Sequence, residues 1–440
     1  MLTSLRTILF LACATPALAQ IGGYGGPSIL TRGQAPSTQS GEAMIAFRPY
    51  VAVNGIYDSA LTGVTTNAEG LATSTDAFGV EAQIGAYGYR GWKKTLVGLD
   101  YRGNYRDYTS NTYYNGTDQM LTLGVSRQAT RHVQIVLRNM GGTFSRGYGM
   151  YNGTGFLDTS SMQVPNNELF DNRVYYLTTA ADVVYQKSAR LSFSGGGNGF
   201  LARRRSSSLF GVTGYGGSGD ITYRLSRFST LGVDYRFTHF EYTKSFGGSD
   251  LHSVGLNYAV RPSRRWEIAF RLGGSRLESL FLNKLAVDPV IAALTGIRWG
   301  IQASYKVRYL PDLNARLSRS FQHASLNFNY ARQVSPGNGI YLISSGENAA
   351  LSYSYTGVRK WNFGASGGFS KLRPVMQSMS NYASYYGGVG ATRQLKRSFH
   401  FIARFDARYY QISGSTVNWN PYRASIGFAY SPGDIPLSLW

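Results

Sequence analysis

From Met44 onward the chain repeatedly alternates apolar residues with polar or small ones, and this period-two pattern constrains the fold more than any other feature. Between residues 78 and 86 the apolar side chains fall on even positions, with Gly, Glu or Gln on the odd positions. Comparable segments recur at residues 97–102, 121–126, 231–238, 266–273 and 399–406. Successive side chains of a β-strand point to opposite faces, so each segment predicts a strand with one apolar and one polar face.

A soluble β-sandwich would alternate in the same way, but three further features favour a transmembrane barrel. The predicted strands are longer than the usual five or six residues. They follow one another as hairpins without helical segments, and no apolar run after the N-terminus is long enough for a membrane helix. Tyr and Trp cluster near strand ends, for example at Trp92 and Trp266, as in the interfacial girdles of barrels. The sequence therefore predicts an all-β, antiparallel up-and-down transmembrane β-barrel.

The composition agrees with this prediction. Aromatic residues make up 14% of the chain and charged residues only 15%, against about 25% charged residues in soluble proteins. The mean hydropathy of −0.20 is too polar for a helical membrane protein, whereas only alternate residues of a barrel strand face lipid. The net charge of +21 is spread along the chain without a recognisable nucleic-acid-binding motif, so nucleic acid is not expected as a partner.

The connections between strands predict the number of strands. Eight short basic turns, such as the one from Arg90 to Lys94, alternate with nine longer loops, which include Asp58 to Thr75 and Ser279 to Ile297. Barrels place short turns in the periplasm and long loops outside, so this arrangement predicts about eighteen strands. Sixteen strands is the alternative, because Pro311 interrupts the pattern between Gly300 and Arg319.

The N-terminus predicts export. Residues 1–19 combine a basic start, an apolar run and the ending Ala17-Leu18-Ala19, as in a cleaved secretory signal peptide. Cleavage before Cys13, as in a lipoprotein, is an alternative. Residues 20–43 are rich in Gly, Ser and Pro and predict a flexible periplasmic lead, followed by the barrel over residues 44–440. The chain contains one Cys and five scattered His, so no metal site and no cofactor is expected.

With its signal, alternating strands, basic short turns and terminal Trp440, the chain resembles porin-like outer-membrane barrels over about Met44 to Trp440. The resemblance implies location in the outer membrane of a Gram-negative bacterium. It also implies that the barrel-assembly machinery recognises the terminal aromatic, here Trp440. The chain departs from the family where residues 431–436 break the alternation, so Arg423 to Tyr430 is an alternative last strand with a tail behind it.

The polar faces of the strands supply the candidate functional residues. If the apolar faces contact lipid, the opposite faces line the lumen. The candidate pore-lining residues are Glu81, Asp100, Arg102, Arg106, Arg138, Asp234, Arg236, Glu267, Arg271, Arg404, Asp406 and Arg408. A barrel of eighteen strands is too wide for side chains alone to fill. Because Arg outnumbers the acids in this set, we expect a passive channel for small hydrophilic solutes with a modest preference for anions.

Two other functions are alternatives to a channel. The first is a non-conducting structural or adhesion barrel, in which inward ion pairs only compensate buried charge; a homo-oligomer is left open in either case. The second is an outer-membrane lipid hydrolase, for which His252 and Ser253 are the nearest pair. Adjacent strand residues point to opposite faces, so this pair predicts no catalytic site. The loop from Ser279 to Gly296 is apolar without alternation, which predicts a short helix that constricts the pore or packs against a neighbouring subunit.

Overall fold

A computed structural model gives the fold of the chain. It describes residues 47–66, 72–110, 114–144, 173–205, 209–243, 246–286, 293–296, 299–336, 342–375, 380–413 and 418–432. The predicted signal peptide, the predicted lead and Trp440 lie outside these residues. Among the residues described, no helix is long and apolar enough to cross a membrane.

The described residues form nineteen strands, and eighteen of these make up a single closed ring. The strands are β1 (Arg48–Thr66), β2 (Ala72–Gly91), β3 (Thr95–Tyr108), β4 (Gly116–Gln128), β5 (Val133–Phe144), β6 (Val174–Gln186), β7 (Leu191–Arg204), β8 (Val212–Arg224), β9 (Ser229–Tyr242), β10 (Gly248–Ser263), β11 (Trp266–Ala286), β12 (Trp299–Ser320), β13 (Ala324–Ser335), β14 (Ser344–Tyr355), β15 (Trp361–Pro374), β16 (Tyr382–Lys396), β17 (Phe399–Ile412), β18 (Asn418–Trp419) and β19 (Tyr422–Tyr430).

Each strand of the ring pairs with its neighbours in the sequence, and every pairing is antiparallel. The ring closes where β1 pairs with β2 on one side and with β19 on the other, for example Val53 with Ala82 and with Phe428. The two-residue β18 pairs only with β17 and lies outside the ring. Closure leaves no unpaired sheet edge around the ring, which membrane-spanning strands require because lipid offers no hydrogen bonds. The predicted up-and-down barrel of eighteen strands is confirmed, and sixteen is wrong.

The outer wall is apolar, as the alternation predicts. Val80 and Ile84 of β2, Val233 of β9 and Phe428 of β19 are exposed on the outside of the ring. The polar residues between them are buried on the inside, for example Glu81 and Asp234. Period-two alternation therefore separates a lipid-facing surface from a charged interior, which is the division that a barrel in a bilayer needs.

Several predicted loops are shorter than the sequence indicated. Most of the segment from Asp58 to Thr75 belongs to β1 and β2, and Ser279 to Ala286 belongs to β11. The prediction of a loop from Ser279 was wrong because β11 pairs with β12 as far as Ala286 and Trp299. Pro311 does not end β12. The pairing of β12 with β13 stops at Leu313, so Pro311 lies on an edge of β12 that has no partner strand among the residues described, and such an edge tolerates proline. Strands β11 and β12 thus pair with each other beyond the ends of their pairing with β10 and β13.

Candidate functional site: the lumen of the barrel

Strand register places all twelve candidate pore-lining residues on the inner face. Glu81 alternates with the exposed Val80, Asp234 alternates with the exposed Val233 and Tyr235, and Arg271 lies between the outward Phe270 and Leu272. The other nine candidates also lie on the inner face. Each of them either is an even number of residues from an inward residue on its own strand or pairs directly with an inward residue on the next strand. The lumen is therefore lined with both acids and bases, and ion pairs join most of them.

The first group of ion pairs lies inside the barrel where the first and last strands meet; we call it the seam network. Arg423 of β19 donates hydrogen bonds to Asp58 of β1 at 2.6 and 2.7 Å. It also donates to Glu81 of β2 at 3.2 Å and to the Tyr108 hydroxyl of β3 at 3.1 Å. Beside these groups, Arg106 of β3 forms an ion pair with Asp118 of β4, and both side chains are 2% exposed. The seam network therefore connects five strands across the closure of the ring.

A second group joins β9 to β12; we call it the central network. The guanidinium of Arg271 donates to both oxygens of Asp234 at 2.8 Å, and its Nη1 lies 2.5 Å from Asp312. Asp234 also receives a hydrogen bond from Asn257 at 2.8 Å and forms an ion pair with Arg236 at 3.2 Å. One carboxylate thus serves two guanidinium groups, which offsets the cost of burying all of these charges together.

The other inward pairs are local. Arg102 pairs with Asp100 at 2.8 Å, and Arg404 pairs with Asp406 at 2.6 Å, in each case between residues two positions apart on one strand. The remaining candidates make further inward contacts, which are Arg138 to Asp182 at 2.7 Å, Arg261 to Glu267 at 2.9 Å, and Arg408 to the Tyr410 hydroxyl at 3.3 Å. These pairs lie along the wall and do not cross the lumen between opposite strands.

Glycines beside some of the charged side chains leave room for these groups against the wall. A Cβ at position 255 of β10 would lie 2.6 to 2.8 Å from the guanidinium atoms of Arg271, and one at position 388 would lie within the contact distance of Asp406. The absence of a side chain at Gly255 therefore gives the guanidinium a place on the sheet surface.

Sequence reasoning missed several inward charges that the structure brings to the same networks. The sequence predicts loops from Asp58 to Thr75 and from Thr109 to Asp118, so Asp58 and Asp118 receive no inward assignment. Asp312 follows Pro311, which interrupts the alternation. Arg423 was placed at the start of a possible last strand without an inward assignment. The alternation of Leu121 and Leu123 would have assigned Asp118 to the inner face, because all three lie on β4. The contacts that join these residues depend on register between strands, which the sequence does not contain.

An apolar cluster lies at the end of the lumen nearest the long loops. Buried residues near the ends of β6 to β11 form one cluster with residues at the end of β13, before β14 and after β15. Its members are Val174, Phe200, Ala202, Val212, Phe240, Leu251, Leu277, Val334, Ile343 and Val375. The Tyr242 hydroxyl of β9 donates to the carbonyl of Pro336 at 2.8 Å, and Val375 N donates to Ile343 O at 2.8 Å. Because β9 and β13 are four strands apart, the chain after β13 must fold into the lumen to make this contact.

The inward-folded segment differs from the one that the sequence predicted. The expected constriction was the loop from Ser279 to Gly296, but Leu280 and Leu282 lie on the outward face of β11. Residues 293–295 form a single helical turn, and Leu294 is 82% exposed. The rest of the predicted helix, including Pro289, lies outside the described residues. Among the residues described, narrowing contacts come from the segments after β13 and β15.

The structure separates His252 from Ser253, the pair nearest to a hydrolytic arrangement in the sequence. His252 faces outward and contacts the Tyr235 hydroxyl at 2.8 Å, while Ser253 faces inward and contacts Ser275 at 2.5 Å. Their separation onto opposite faces follows from adjacency in a strand. No group of three or more His, Cys, Asp or Glu in the described part of the chain is arranged to hold a metal ion.

A closed ring of eighteen strands with an apolar outer wall and a charged interior is the architecture of a porin-like outer-membrane barrel. The architecture-level resemblance that the sequence indicated is thereby confirmed. With a strand spacing of about 4.8 Å and a tilt near 40°, eighteen strands give a backbone radius of roughly 18 Å. Barrels of this size leave an aqueous channel unless loops or a plug fill them.

Comparisons with known proteins give distant structural similarity only. No family model matches the chain, and no curated protein sequence matches it. Similar solved structures include OccK5 (OpdH) of Pseudomonas aeruginosa, with 11% identity, coverage of 88% of this chain and 98% of that one, and a TM-score of 0.42. OccK2 (OpdF) with glucuronate has 12% identity, the same coverage and a TM-score of 0.41. OpdK with vanillate has 11% identity, the same coverage and a TM-score of 0.41. TM-scores below 0.5 transfer no function, so the function must be argued from the lumen.

Proposed function

We propose that the chain is an outer-membrane channel for passive diffusion of small hydrophilic solutes. One observation carries this proposal. The inward charged side chains lie along the wall of an eighteen-strand ring and pair with neighbours on the wall, as Arg271 does over Gly255. A barrel whose charges lie flat keeps a water-filled centre, through which solutes of limited size can pass. The predicted assembly role of Trp440 and a homo-oligomeric state remain predictions.

We further propose a modest preference for anions. The inward acids Asp58, Asp118 and Asp312 reduce the excess of arginine that the candidate set suggested. Two more bases, Lys306 and Arg308, share the inward parity of β12 beyond its pairing with β13, and both are exposed. Their charge at the long-loop entrance would raise the local anion concentration, because the Debye length is about 8 Å at physiological salt.

Conductance in planar bilayers tests the channel. Purified protein should give discrete single-channel currents, and a salt gradient should give a reversal potential that favours anions. Neutralising Arg102, Arg236 and Arg404 together should shift this potential strongly towards cations, since each substitution removes one positive charge from the inner face. Neutralising Lys93, Lys94 and Arg397 in the short turns is the matched control and should shift it less. Equal shifts would contradict the inward assignment.

A non-conducting barrel is the second candidate function. The apolar cluster at the long-loop end favours it, because the contact of Tyr242 with Pro336 narrows that half of the lumen. Absence of single-channel currents from folded, heat-modifiable protein would favour this second function over the channel. Currents that appear only when the inward segment is disrupted would indicate a barrel closed at rest.

A further inference from the structure

Outward charges on the wall of the barrel are unequally distributed, and one group of them is basic. Three bases surround Glu347 of β14: Arg332 of β13 and Lys371 and Arg373 of β15. We call these three bases the outer basic patch. Arg332 pairs in register with Glu347, and Glu347 with Lys371. All of them share the parity of the exposed Leu351, so they face the membrane and not the lumen.

An aromatic row fixes the level of this patch relative to the membrane. Next to the patch, one residue pair closer to the middle of the strands, lies a row of outward aromatic residues. They are Tyr330, Phe369, Tyr385 and Tyr409. Ring centroids are 6.3 Å apart for Phe369 and Tyr385 and 6.1 Å apart for Tyr385 and Tyr409. Aromatic girdles mark the interface between hydrocarbon and head groups. One residue pair along a strand is roughly 7 Å, so the outer basic patch lies at the level of the head groups, at the long-loop end.

The protein itself satisfies little of this positive charge. Arg373 is 3.4 Å from Glu347 and its side chain is 44% exposed. Arg332 and Lys371 form no ion pair with any described residue. Outward arginines at the short-turn end behave differently: the Arg319 guanidinium lies 4.6 Å from the ring centre of Trp266 and 4.4 Å from that of Phe321.

The same end of the barrel is acidic on another sector of its outer wall. Glu241, Asp250 and Glu278 face outward at the long-loop ends of β9, β10 and β11. His239 contacts both Glu241 and Asp250, and Arg276 lies 2.9 Å from Glu278. Outward bases also occur elsewhere at this end, at Arg203 of β7 and Arg276 of β11. The outer basic patch differs from the acidic sector in that three bases lie around a single acid.

We propose that the outer basic patch binds the phosphate group of an anionic lipid in the leaflet around the long-loop end. Charges on the lipid face of a barrel are costly unless they lie near the interface and contact polar groups. Guanidinium groups bind phosphate oxygens in a bidentate fashion, and an ammonium group adds a further donor. This site goes beyond the proposed channel and would hold whether or not the lumen conducts.

Lipid binding by the full-length barrel tests the proposal. Protein in neutral detergent is titrated with a diphosphorylated lipid A and, separately, with the same lipid after removal of its phosphates, and complexes are counted by native mass spectrometry. The wild-type protein should bind the phosphorylated lipid more tightly, and added salt should weaken this binding. The triple variant R332Q/K371Q/R373Q should bind it about 100-fold more weakly, at roughly a factor of five per basic group near a charged lipid surface.

Matched variants distinguish a specific site from altered folding. The variant R319Q removes an outward arginine that stacks on aromatic rings and should bind the phosphorylated lipid as the wild type does. The charge-preserving variant R332K/R373K should bind more tightly than the triple variant but less tightly than the wild type, because it keeps the charge and loses the bidentate geometry. Unchanged binding by the triple variant would overturn the proposal, as would loss in all three variants or displacement of the lipid by an equal concentration of inorganic phosphate. If the barrels instead associate with one another and bind no phosphorylated lipid, the proposal is wrong and the patch is an interface with a second copy of this chain.

Discussion

The seam network predicts which substitution most weakens the closed barrel. Arg423→Met removes two hydrogen bonds to Asp58, one to Glu81 and one to Tyr108, and it leaves two carboxylates without their main partner. The side chain of Asp58 is 0% exposed, so water cannot replace the lost guanidinium. Removing one partner of a buried ion pair costs about 3–5 kcal/mol. We expect a loss of this size in the free energy of unfolding.

Unfolding in urea after reconstitution into lipid vesicles measures this loss. Tryptophan fluorescence gives the midpoint and slope of the transition, and heat-modifiable mobility on gels shows that the variant folds. Arg404→Met is the matched control. Its partner Asp406 is 14% exposed and lies on the same strand, so we expect a smaller loss of about 1–2 kcal/mol.

A double-mutant cycle separates the ion pair from a general effect of the substitution. The variant D58N/R423M removes both charges of the pair, so it should lose less stability than the sum of its single variants. Additive losses would refute the reasoning, and so would an Arg423→Met variant no less stable than Arg404→Met. Either result would mean that the seam network does not hold the first and last strands together.

Three other substitutions test the lumen and the topology. Gly255→Ala should displace the guanidinium of Arg271 into the lumen and lower single-channel conductance, whereas Gly219→Ala, whose Cβ would meet its nearest neighbour at 3.8 Å, should not. Tyr242→Phe removes the hydrogen bond to Pro336 and should raise conductance or its fluctuations, with the outward Tyr235→Phe as control. A cysteine at Leu294 should react with a membrane-impermeant maleimide on intact cells while one at Lys93 should not, and the reverse result would invert the topology.

The sequence alone determined which side chains face inward. Period-two alternation fixes the face of each residue once the apolar set is assigned to lipid, so Glu81, Asp234 and Arg271 could be placed without any tertiary information. The alternation of short basic turns with longer loops determined the eighteen strands in the same way. Composition and the lack of long apolar runs determined the class, because only a barrel can cross a membrane with such polar strands.

The tertiary structure decided which of these inward residues meet. Asp58 and Arg423 are 365 residues apart, and only closure of the ring between β1 and β19 brings them together. The bond from Tyr242 to Pro336 likewise requires a segment to fold back into the lumen, and no local pattern encodes that direction. The sequence also did not determine where the strands end. Strands β11 and β12 pair with each other beyond the ends of their neighbours, as far as Ala286 and Trp299. Local periodicity therefore specifies a face, whereas register and closure specify the contact.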